Sequence, residues 1–260
     1  MPKQNRRTFL SHTIAAGGAL GLGASLPAHA ELPPSVIPRP ATTTLPVVGE
    51  TSVFPVRRVY CLGRNYNAHV REMGQDPKKN QPLFFMKPTD AIMVGGGSFP
   101  YPPGTENLHH EVELVYAIGK GGTNIAEADA LSHVYGYATG LDMTRRDLQR
   151  FASKAGLPWE IGKSFDYSAP CTALQPAAKI GHPQAGRIWL KVNGETRQDS
   201  DLSRLIWNTA TGIAELSRFF ELMPGDLVFT GTPAGVGPVV RGDVVAAGIA
   251  NVGEITITVS

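Results

Sequence analysis

Two glutamates stand two residues apart in the otherwise apolar segment 109–118, which reads His-His-Glu-Val-Glu-Leu-Val-Tyr-Ala-Ile. Successive side chains of a β-strand point to opposite faces of a sheet, so Glu111 and Glu113 share one face. The other face carries only apolar side chains, from Val112 to Ile118, which suits a hydrophobic core. Two adjacent carboxylates repel each other unless a cation lies between them. The chain is therefore constrained to a sheet that buries one face of this strand and brings a cation to the other.

A third acid, Asp142, ends another strand-like run at 134–141. Three carboxylates without a cysteine form a hard site of oxygen ligands, which favours Mg²⁺ or Mn²⁺ over Zn²⁺, with Ca²⁺ as the alternative. The competing interpretation of an isolated Glu-x-Glu is a solvated face. Of the two preceding histidines, His109 has the parity of the glutamates and is interpreted as a neighbour of the ligands, and His110 as a packed or surface histidine.

The first thirty residues have the features of an export signal. They comprise a basic start at 3–7, an apolar stretch at about 13–26 and a small-x-small cleavage sequence at 28–30. The paired arginines before Phe-Leu resemble a twin-arginine leader, which exports folded proteins to the bacterial periplasm. The alternative is an uncleaved membrane anchor, but the apolar run is shorter than the ~20 residues of a spanning helix.

Cleavage after Ala30 would change the formal charge from +2 to −1, because the leader holds three basic residues and no acid. The mature part has no basic stripe that would favour nucleic acid and no apolar run that would span a membrane. The expected partner is a small molecule. The two cysteines, Cys61 and Cys171, are expected to be free thiols, since an exported chain of this length does not need a disulfide.

Proline-rich residues 31–55 are predicted to form an extended segment across the surface, and 56–260 a single domain. Helices are predicted at 67–73, 144–155 and 208–222, each stopping at a glycine or proline. Strands are predicted at 58–62, 83–86, 111–118, 138–142, 188–192, 227–230, 243–247 and 254–259. An Asn-Gly hairpin turn is predicted at Asn193 and Gly194. Strands dominate without a regular strand-helix repeat, so the predicted class is β-rich α+β.

Six short segments stand in order along the chain: Gly-Arg-Asn-Tyr-Asn-Ala-His-Val-Arg-Glu-Met at 63–73, Lys-Pro at 87–88, His-Glu-Val-Glu at 110–113, Leu-Asp-Met-Thr at 141–144, Lys-Ser-Phe-Asp at 163–166 and Thr-Gly-Thr-Pro at 230–233. Together they resemble the fumarylacetoacetate hydrolase family, in its small single-domain branch that includes acylpyruvate hydrolases and oxaloacetate decarboxylases. The resemblance implies a mixed β-sandwich roll, a homodimer, and Mg²⁺ or Mn²⁺ held by Glu111, Glu113 and Asp142.

His69 and Glu72 lie three residues apart on a predicted helix, so they share a face. Glu72 can accept a hydrogen bond from one imidazole nitrogen while the other nitrogen activates water, which makes an oriented general base. The competing interpretation is a surface pair. The resemblance places this helix in a lid that closes over the metal and excludes water.

The remaining candidates concern substrate and charge. The helix predicted to be capped by Thr144 presents Arg146 and Gln149 on one side, and the resemblance assigns both to the substrate, with Arg146 suited to a bidentate pair with a carboxylate. Lys163 follows a bulky apolar stretch and suits stabilisation of negative charge or proton donation; the alternative is a snorkelling surface lysine. Thr232, in a glycine-flanked turn, is expected to offer its hydroxyl and nearby backbone N–H groups to an anion. Arg145 is expected to be solvated, and Lys87 to be structural or peripheral.

These residues predict an exported enzyme that hydrolyses a C–C bond in a 2-oxo or diketo acid of the acylpyruvate type, giving pyruvate and a carboxylic acid. Decarboxylation of oxaloacetate, or isomerisation of a hydroxymuconate-type acid, would use the same metal and a similar enolate, so both are alternatives. A silent binding protein for 2-oxo acids would have no need to keep His69, Glu72 and Lys163 together.

Overall fold

The computed structural model describes residues 34–79 and 81–260. The predicted export signal lies outside this range. The chain divides into one unit of residues 1–40, of which 34–40 are exposed and contain no helix or strand, and a second unit of residues 41–260. No helix within the described ranges is long and apolar enough to cross a membrane.

Strands dominate the second unit, as the α+β prediction required. The strands are β1 (Thr44–Pro46), β2 (Val53–Pro55), β3 (Arg58–Gly63), β4 (Leu83–Lys87), β5 (Ile92–Val94), β6 (Gly97–Phe99), β7 (Leu108–His110), β8 (Val112–Ile118), β9 (Val134–Leu141), β10 (Thr144–Arg145), β11 (Ala169–Cys171), β12 (Gln175–Pro176), β13 (Arg187–Val192), β14 (Glu195–Asp201), β15 (Asp226–Phe229), β16 (Gly237–Val239), β17 (Val244–Ile249) and β18 (Gly253–Val259). The predicted Asn-Gly turn joins β13 to β14, with Asn193 and Gly194 both at positive φ.

The helices are short. They are α1 (Asn67–Glu72), α2 (Glu127–Ala130), α3 (Arg146–Ala155), α4 (Glu160–Lys163), α5 (Ala177–Ile180) and α6 (Thr209–Leu216), with 3₁₀ turns at Pro77–Lys79, Thr89–Ala91, Leu131–His133 and Leu202–Arg204. The helix predicted at 208–222 ends early because Ser217 is engaged elsewhere: its carbonyl accepts the N–H of Asn124 and its hydroxyl accepts that of Ile125.

Two sheets pack on each other, which confirms the predicted β-sandwich architecture. The larger runs β4-β3-β15-β8-β9-β11-β5 with β12 beside β9, and the smaller runs β14-β13-β17-β18-β6. Side chains of β8, such as Leu114 and Tyr116, pack with Leu190 and Ile257 of the smaller sheet in one buried core. Burying apolar area on this scale is the main favourable term in folding.

The reverse face of β8 is also buried, which the alternating pattern did not predict. Val115 and Ala117 belong to a second core that includes Leu45 and Phe54 of the β1-β2 hairpin. Within 44–55, β1 and β2 thus form a pair of antiparallel strands, and not the extended surface segment expected from the prolines. The prolines Pro46 and Pro55 stand at strand ends, where proline is tolerated. Both cysteines are buried in this second core as free thiols, as predicted.

An interruption between two strands at Glu111 positions the functional residues. The strand predicted at 111–118 is preceded by β7, which pairs with β10 and β16 in a separate three-stranded sheet. Glu111 lies between β7 and β8, where the chain passes from one sheet to the other. Side chains at such a junction can converge from two sheets on one point.

Candidate active site

Antiparallel pairing of β8 with β9 brings the three acids together. Glu113 is opposite Gly140, and the N–H of Asp142 donates to the carbonyl of Glu111 at 2.8 Å. One carboxylate oxygen from each of the three residues lies within 4.8 Å of the others, and all three side chains are buried. The predicted convergence of Glu111, Glu113 and Asp142 is therefore present in the fold.

The surroundings of Glu113 indicate whether the three acids suit a cation. Burial raises the pKa of Glu113 well above its usual range, and the negative charges of Asp142 and Glu111 raise it further. The one hydrogen bond to its side chain in the described residues is from the Gly231 N–H to Oε2, at 2.7 Å. Three buried carboxylates, one of them without a cationic partner among the described residues, fit a divalent cation with oxygen ligands, such as Mg²⁺ or Mn²⁺.

Two cations predicted from the sequence contact the other acids. Burial opposes ionisation of Glu111, but the charges of Lys163 and Arg146 outweigh it and hold the pKa of Glu111 below its usual range. Lys163 Nζ donates to Glu111 Oε2 at 2.8 Å and to Asp142 Oδ2 at 2.6 Å, while Arg146 Nη2 donates to Glu111 Oε1. Burial alone would lower the pKa of Lys163, but Asp142 and Glu111 raise it overall, so this lysine is an ammonium and not a snorkelling surface residue.

His69 and Glu72 form the predicted pair on α1. His69 Nδ1 lies 2.9 Å from Glu72 Oε2, and the other carboxylate oxygen of Glu72 accepts the Gly235 N–H at 2.9 Å. Burial opposes ionisation of Glu72, but the hydrogen bonds from His69 and Gly235 lower its pKa overall. An ionised carboxylate only accepts hydrogen bonds, so Nδ1 carries a hydrogen, and in the neutral imidazole Nε2 then has the lone pair. That arrangement suits proton abstraction at Nε2.

The residues predicted to bind substrate line the same cleft, with one difference in role. Arg146 Nη1 donates to Gln149 Oε1 at 3.2 Å, and both side chains are buried. The Thr232 hydroxyl donates to the carbonyl of Val112 at 2.8 Å and accepts from Gln198 Nε2 at 2.7 Å. Its proton is therefore already used, and the expectation that this hydroxyl donates to an anion does not match the structure. Thr232 orders the cleft wall instead.

Two further expectations differ from the structure. Thr144 does not cap α3: it lies in β10, and its hydroxyl donates to the carbonyl of Asp142 at 3.0 Å. Arg145 is half-buried against the ring of Phe165, with its guanidinium 4.4 Å from the ring centre. His109 is buried, and its pKa is lowered to about 4, chiefly by burial and then by the charge of Arg146. Its Nδ1 has no hydrogen-bond partner among the described residues. His110 is packed, as predicted, with Nδ1 3.2 Å from Gln198 Oε1.

Lys87 is structural, as expected, and does not line the cleft, but its contact with the acid triad was not predicted. Its ammonium is buried, lies 2.9 Å from Asp142 Oδ1, and donates to Ser168 Oγ at 2.9 Å and to the carbonyl of Lys163. Lys87 thus joins the acids to the segment that carries Lys163. The available signal was a lysine ending the apolar strand run Leu-Phe-Phe-Met. Gln198, on the exposed-looking strand β14, gave no signal because its partners come from distant parts of the chain.

Replacing Lys87 with methionine is expected to lower the free energy of unfolding of the metal-stripped protein by roughly 3 kcal/mol, because one partner of a buried ion pair is removed. Urea unfolding would measure the change. Lys120→Met is the matched control, since Lys120 is exposed in the turn after β8. A loss for Lys87→Met no larger than that of the control would show that Asp142 does not depend on this lysine.

The candidate residues share one cleft of about 540 Å³. Its floor consists of Glu111, Glu113, Asp142, Arg146 and Lys163. His69 and Glu72 contribute from α1, and Gln149 and Thr232 from the surrounding elements. The acid triad, the His69–Glu72 pair and the fixed cations are therefore adjacent, an arrangement that suits chemistry at a polarised carbonyl group.

Residues 58–260 match the family model described as "Fumarylacetoacetate (FAA) hydrolase C-terminal". Over 193 residues the chain is 46% identical to oxaloacetate tautomerase FAHD1, mitochondrial, of Mus musculus, covering 74% of this chain and 87% of that protein. Over 184 residues it is 45% identical to a fumarylpyruvate hydrolase of Ralstonia sp, covering 71% of this chain and 95% of that one.

A solved structure extends the similarity to three dimensions. The fumarylpyruvate hydrolase of Pseudomonas aeruginosa, in complex with Mn²⁺ and pyruvate, superposes with a TM-score of 0.86 at 52% sequence identity, covering 87% of this chain and 99% of that one. Fold, sequence match and the set of buried acids agree, and the chain belongs to the fumarylacetoacetate hydrolase family.

Proposed function

We propose that this protein is a divalent-metal-dependent hydrolase that cleaves the C–C bond of an acylpyruvate to give pyruvate and a carboxylic acid. The observation that carries the proposal is the His69–Glu72 pair in the same cleft as the three buried acids, because hydrolysis needs an activated water molecule. The similarity to fumarylpyruvate hydrolases, one of them solved with Mn²⁺ and pyruvate, supports it.

Glu111, Glu113 and Asp142 would hold Mg²⁺ or Mn²⁺, with Ca²⁺ as the alternative. When bound, the metal supplies Lewis-acid polarisation of the 2-oxo acid group of the substrate. Arg146, with Gln149 beside it, binds the substrate carboxylate, for which a guanidinium is suited by its paired donors. Arg146 also pairs with Glu111, so it connects the substrate carboxylate to the acid triad.

His69 Nε2 takes a proton from a water molecule, whose oxygen attacks the acyl carbonyl distal to the carboxylate. Glu72 stabilises the resulting imidazolium by accepting from Nδ1. The bond between the acyl carbon and the methylene carbon then breaks, and its electron pair passes to the pyruvate fragment as an enolate. Lys163, held as an ammonium in the floor of the cleft, stabilises that negative charge. The imidazolium of His69 returns its proton to the methylene carbon, which gives pyruvate and restores the base, and the acyl group leaves as a carboxylic acid.

Oxaloacetate chemistry is the second candidate, because five mammalian relatives called oxaloacetate tautomerase are 43–46% identical to this chain. Tautomerisation, isomerisation of a hydroxymuconate-type acid or decarboxylation would use the same acids and cations without attack by water. In those reactions His69 would transfer a proton to or from a carbon or oxygen atom of the substrate.

The deciding measurement is pyruvate release from an acylpyruvate by metal-stripped protein, with and without added Mn²⁺ or Mg²⁺. Oxaloacetate is run in parallel, followed both by pyruvate release and by loss of its enol absorbance. Metal-dependent acylpyruvate cleavage is the expected result. Turnover of oxaloacetate alone would replace hydrolysis by tautomerisation or decarboxylation, and turnover of neither would favour a silent 2-oxo-acid-binding protein.

Residues 1–30 are proposed to export the folded chain to the periplasm by a twin-arginine route, on the basis of their paired arginines and cleavage sequence. N-terminal sequencing of periplasmic protein would test this, and a chain that starts before Ala30 in the cytoplasm would contradict it.

A homodimer is proposed on the family resemblance, and is consistent with exposed side chains such as Phe151 and Ile161. Sedimentation analysis distinguishes it from a monomer.

A further inference from the structure

Residues 231–235, in the connection from β15 to β16, contact both the acid triad and the His69–Glu72 pair. The Gly231 N–H donates to Glu113 Oε2 at 2.7 Å, and the Gly235 N–H donates to Glu72 Oε1 at 2.9 Å. Residues 231–235 contain no helix or strand, and no backbone–backbone hydrogen bond holds them within the described part of the chain. Their conformation therefore depends on side chains.

Gln198 is a buried side chain that holds the middle of this segment. Its Nε2 donates to Thr232 Oγ1 at 2.7 Å and to the carbonyl of Pro233 at 2.8 Å. Its Oε1 accepts the Val112 N–H at 3.2 Å and lies 3.2 Å from His110 Nδ1. A carboxamide has two N–H donors and two acceptor positions, so all four are used. Because the Val112 N–H can only donate and the Pro233 carbonyl can only accept, the orientation of the amide is fixed.

An irregularity in β14 directs the side chain of Gln198 inward. In the β13-β14 ladder, Leu190 pairs with Gln198, and the next pair is Lys191 with Thr196. Arg197 is therefore an extra residue, which forms a β-bulge. Thr196 and Arg197 are exposed, whereas Gln198 is fully buried. Bulges change the direction of a side chain and are common next to active sites.

The same bulge packs against Gly235. A Cβ atom at Gly235 would overlap the carbonyl oxygen of Arg197, and Gly235 has a φ of +99°. Both the close approach and the left-handed conformation require glycine at this position. Strand β14 thus fixes the segment in its middle, through Gln198, and at the residue whose N–H holds Glu72.

The other side of Gln198 fixes the backbone between the two glutamates of the triad. Val112 lies between Glu111 and Glu113; its N–H donates to Gln198, and its carbonyl accepts the Thr232 hydroxyl at 2.8 Å. Both polar backbone groups of Val112 therefore belong to one connected set of hydrogen bonds. A buried network in which every group has its partner is rigid, and removing its central member leaves several groups unpaired at once.

We propose that Gln198 is a positioning residue that joins the acid triad to the His69–Glu72 pair. Through Val112 it fixes the backbone of the triad, and through residues 231–235 it fixes the carboxylate of Glu72. Gln198 does not line the cleft, so it acts through these neighbours and not on the substrate. Its effect on turnover rests on the proposed function, whereas its effects on Mn²⁺ binding and on the histidine do not.

The variant Gln198→Met keeps the volume of the side chain and removes its hydrogen bonds. Titration of metal-free protein, followed by the EPR signal of free Mn²⁺, is expected to show roughly tenfold weaker Mn²⁺ binding, because supports of metal ligands have effects of this size. Proton NMR of the metal-free protein is expected to lose the low-field resonance of His69 Nδ1–H, which is identified by its absence from His69→Asn. Gln175→Met is the matched control, because Gln175 is a half-buried glutamine of β12 that does not line the cleft.

A second variant, Gln198→Glu, keeps the proposal testable if Gln198→Met does not fold. Glutamate has the shape of glutamine and still offers an acceptor to the Val112 N–H. A carboxyl group has at most one O–H, so it cannot donate to both Thr232 and Pro233. Weaker Mn²⁺ binding and loss of the His69 resonance are expected here too. Wild-type Mn²⁺ affinity together with a wild-type resonance in either folded variant would overturn the proposal.

Turnover separates positioning from general damage. At saturating Mn²⁺, Gln198→Met is expected to lower kcat on an acylpyruvate by roughly tenfold, with little change in KM, because a misplaced base costs rate and not binding. The same substitution in the Glu72→Gln background is expected to have a much smaller effect, since residues that act through one another are not additive. An equal loss of kcat in both backgrounds would indicate general damage and would overturn the proposal.

The same set of measurements distinguishes this inference from the proposed function. Metal-dependent cleavage in which Gln198→Met behaves as Gln175→Met does would leave the hydrolase standing and remove the positioning role. Absence of acylpyruvate cleavage from the wild type, together with weaker Mn²⁺ binding and a lost His69 resonance in Gln198→Met, would refute hydrolysis and support the link between the triad and the histidine.

Discussion

Replacing Glu113 by glutamine is expected to abolish both Mn²⁺ binding and catalysis. Glu113 is the member of the acid triad that has no cationic partner among the described residues, so its charge is the one most available to a metal. Glutamine keeps the shape and can still accept the Gly231 N–H, but it removes the negative charge. Loss of about 4 kcal/mol of transition-state stabilisation corresponds to a thousandfold or larger loss in rate.

Thermal unfolding measures the metal-binding half of this prediction without an assay of activity. A ligand present at a hundred times its dissociation constant stabilises the folded state by about 2.7 kcal/mol, which shifts Tm by several degrees in a protein of this size. Mn²⁺ is expected to raise Tm of the wild type but not of Glu113→Gln. Glu195→Gln is the control, because Glu195 is an exposed acid in the β13-β14 hairpin. An equal Mn²⁺ shift in Glu113→Gln would remove Glu113 from the ligands.

The raised pKa of Glu113 gives the same site a pH dependence. Where this carboxyl is protonated in the metal-free protein, the metal must displace its proton, so apparent Mn²⁺ affinity falls as pH falls. The same raised pKa makes the stability of the metal-free protein depend on pH. The pKa of Glu113 is higher in the folded state than in the unfolded state, so the folded state binds the extra proton. Metal-free stability therefore decreases as pH rises above the unfolded pKa of a glutamate. Mn²⁺ should accordingly increase Tm more at higher pH.

The acid triad was predictable because each residue obeys a local rule. Glu111 and Glu113 follow from strand alternation, and Asp142 from its position at the end of the next strand, so pairing of β8 with β9 brings them together. The His69–Glu72 pair was predictable for the same reason, since three residues of helix set its geometry. Local periodicity therefore predicted the convergence of the acid triad and the geometry of the His69–Glu72 pair.

The features that sequence reasoning missed depend on contacts between distant residues. Lys87 reads as an ordinary strand-end lysine until β4 lies beside β3 and its ammonium reaches Asp142. The Thr232 hydroxyl donates a hydrogen bond to the carbonyl of Val112 and accepts one from Gln198, and both residues are distant from it in sequence. The β1-β2 hairpin escaped prediction because its prolines suggested an extended segment, although Leu45 and Phe54 needed a core to cover them.

Replacing His69 by asparagine is expected to reduce acylpyruvate hydrolysis by roughly 10²–10⁴-fold, the usual contribution of a general base. Asparagine can place an amide N–H near Glu72, but it has no basic nitrogen where Nε2 would accept the proton of water. His69 is not among the three buried acids, so the Mn²⁺ shift in Tm should remain. Loss of turnover with intact metal binding is the combination that identifies a base and not a ligand.

A second variant and a control variant sharpen the test of this prediction. Glu72→Gln removes the ionised acceptor of Nδ1–H, so it is expected to reduce kcat less than His69→Asn does, because an unoriented imidazole remains. His182→Asn is the matched control, since His182 contacts the Tyr137 hydroxyl and does not line the cleft. Hydrolysis that persists in His69→Asn at the rate of His182→Asn would refute the base. A different outcome is that the wild type tautomerises oxaloacetate but does not cleave acylpyruvates, and that His69→Asn loses the tautomerisation. The same histidine would then act on a proton of the substrate and not on water.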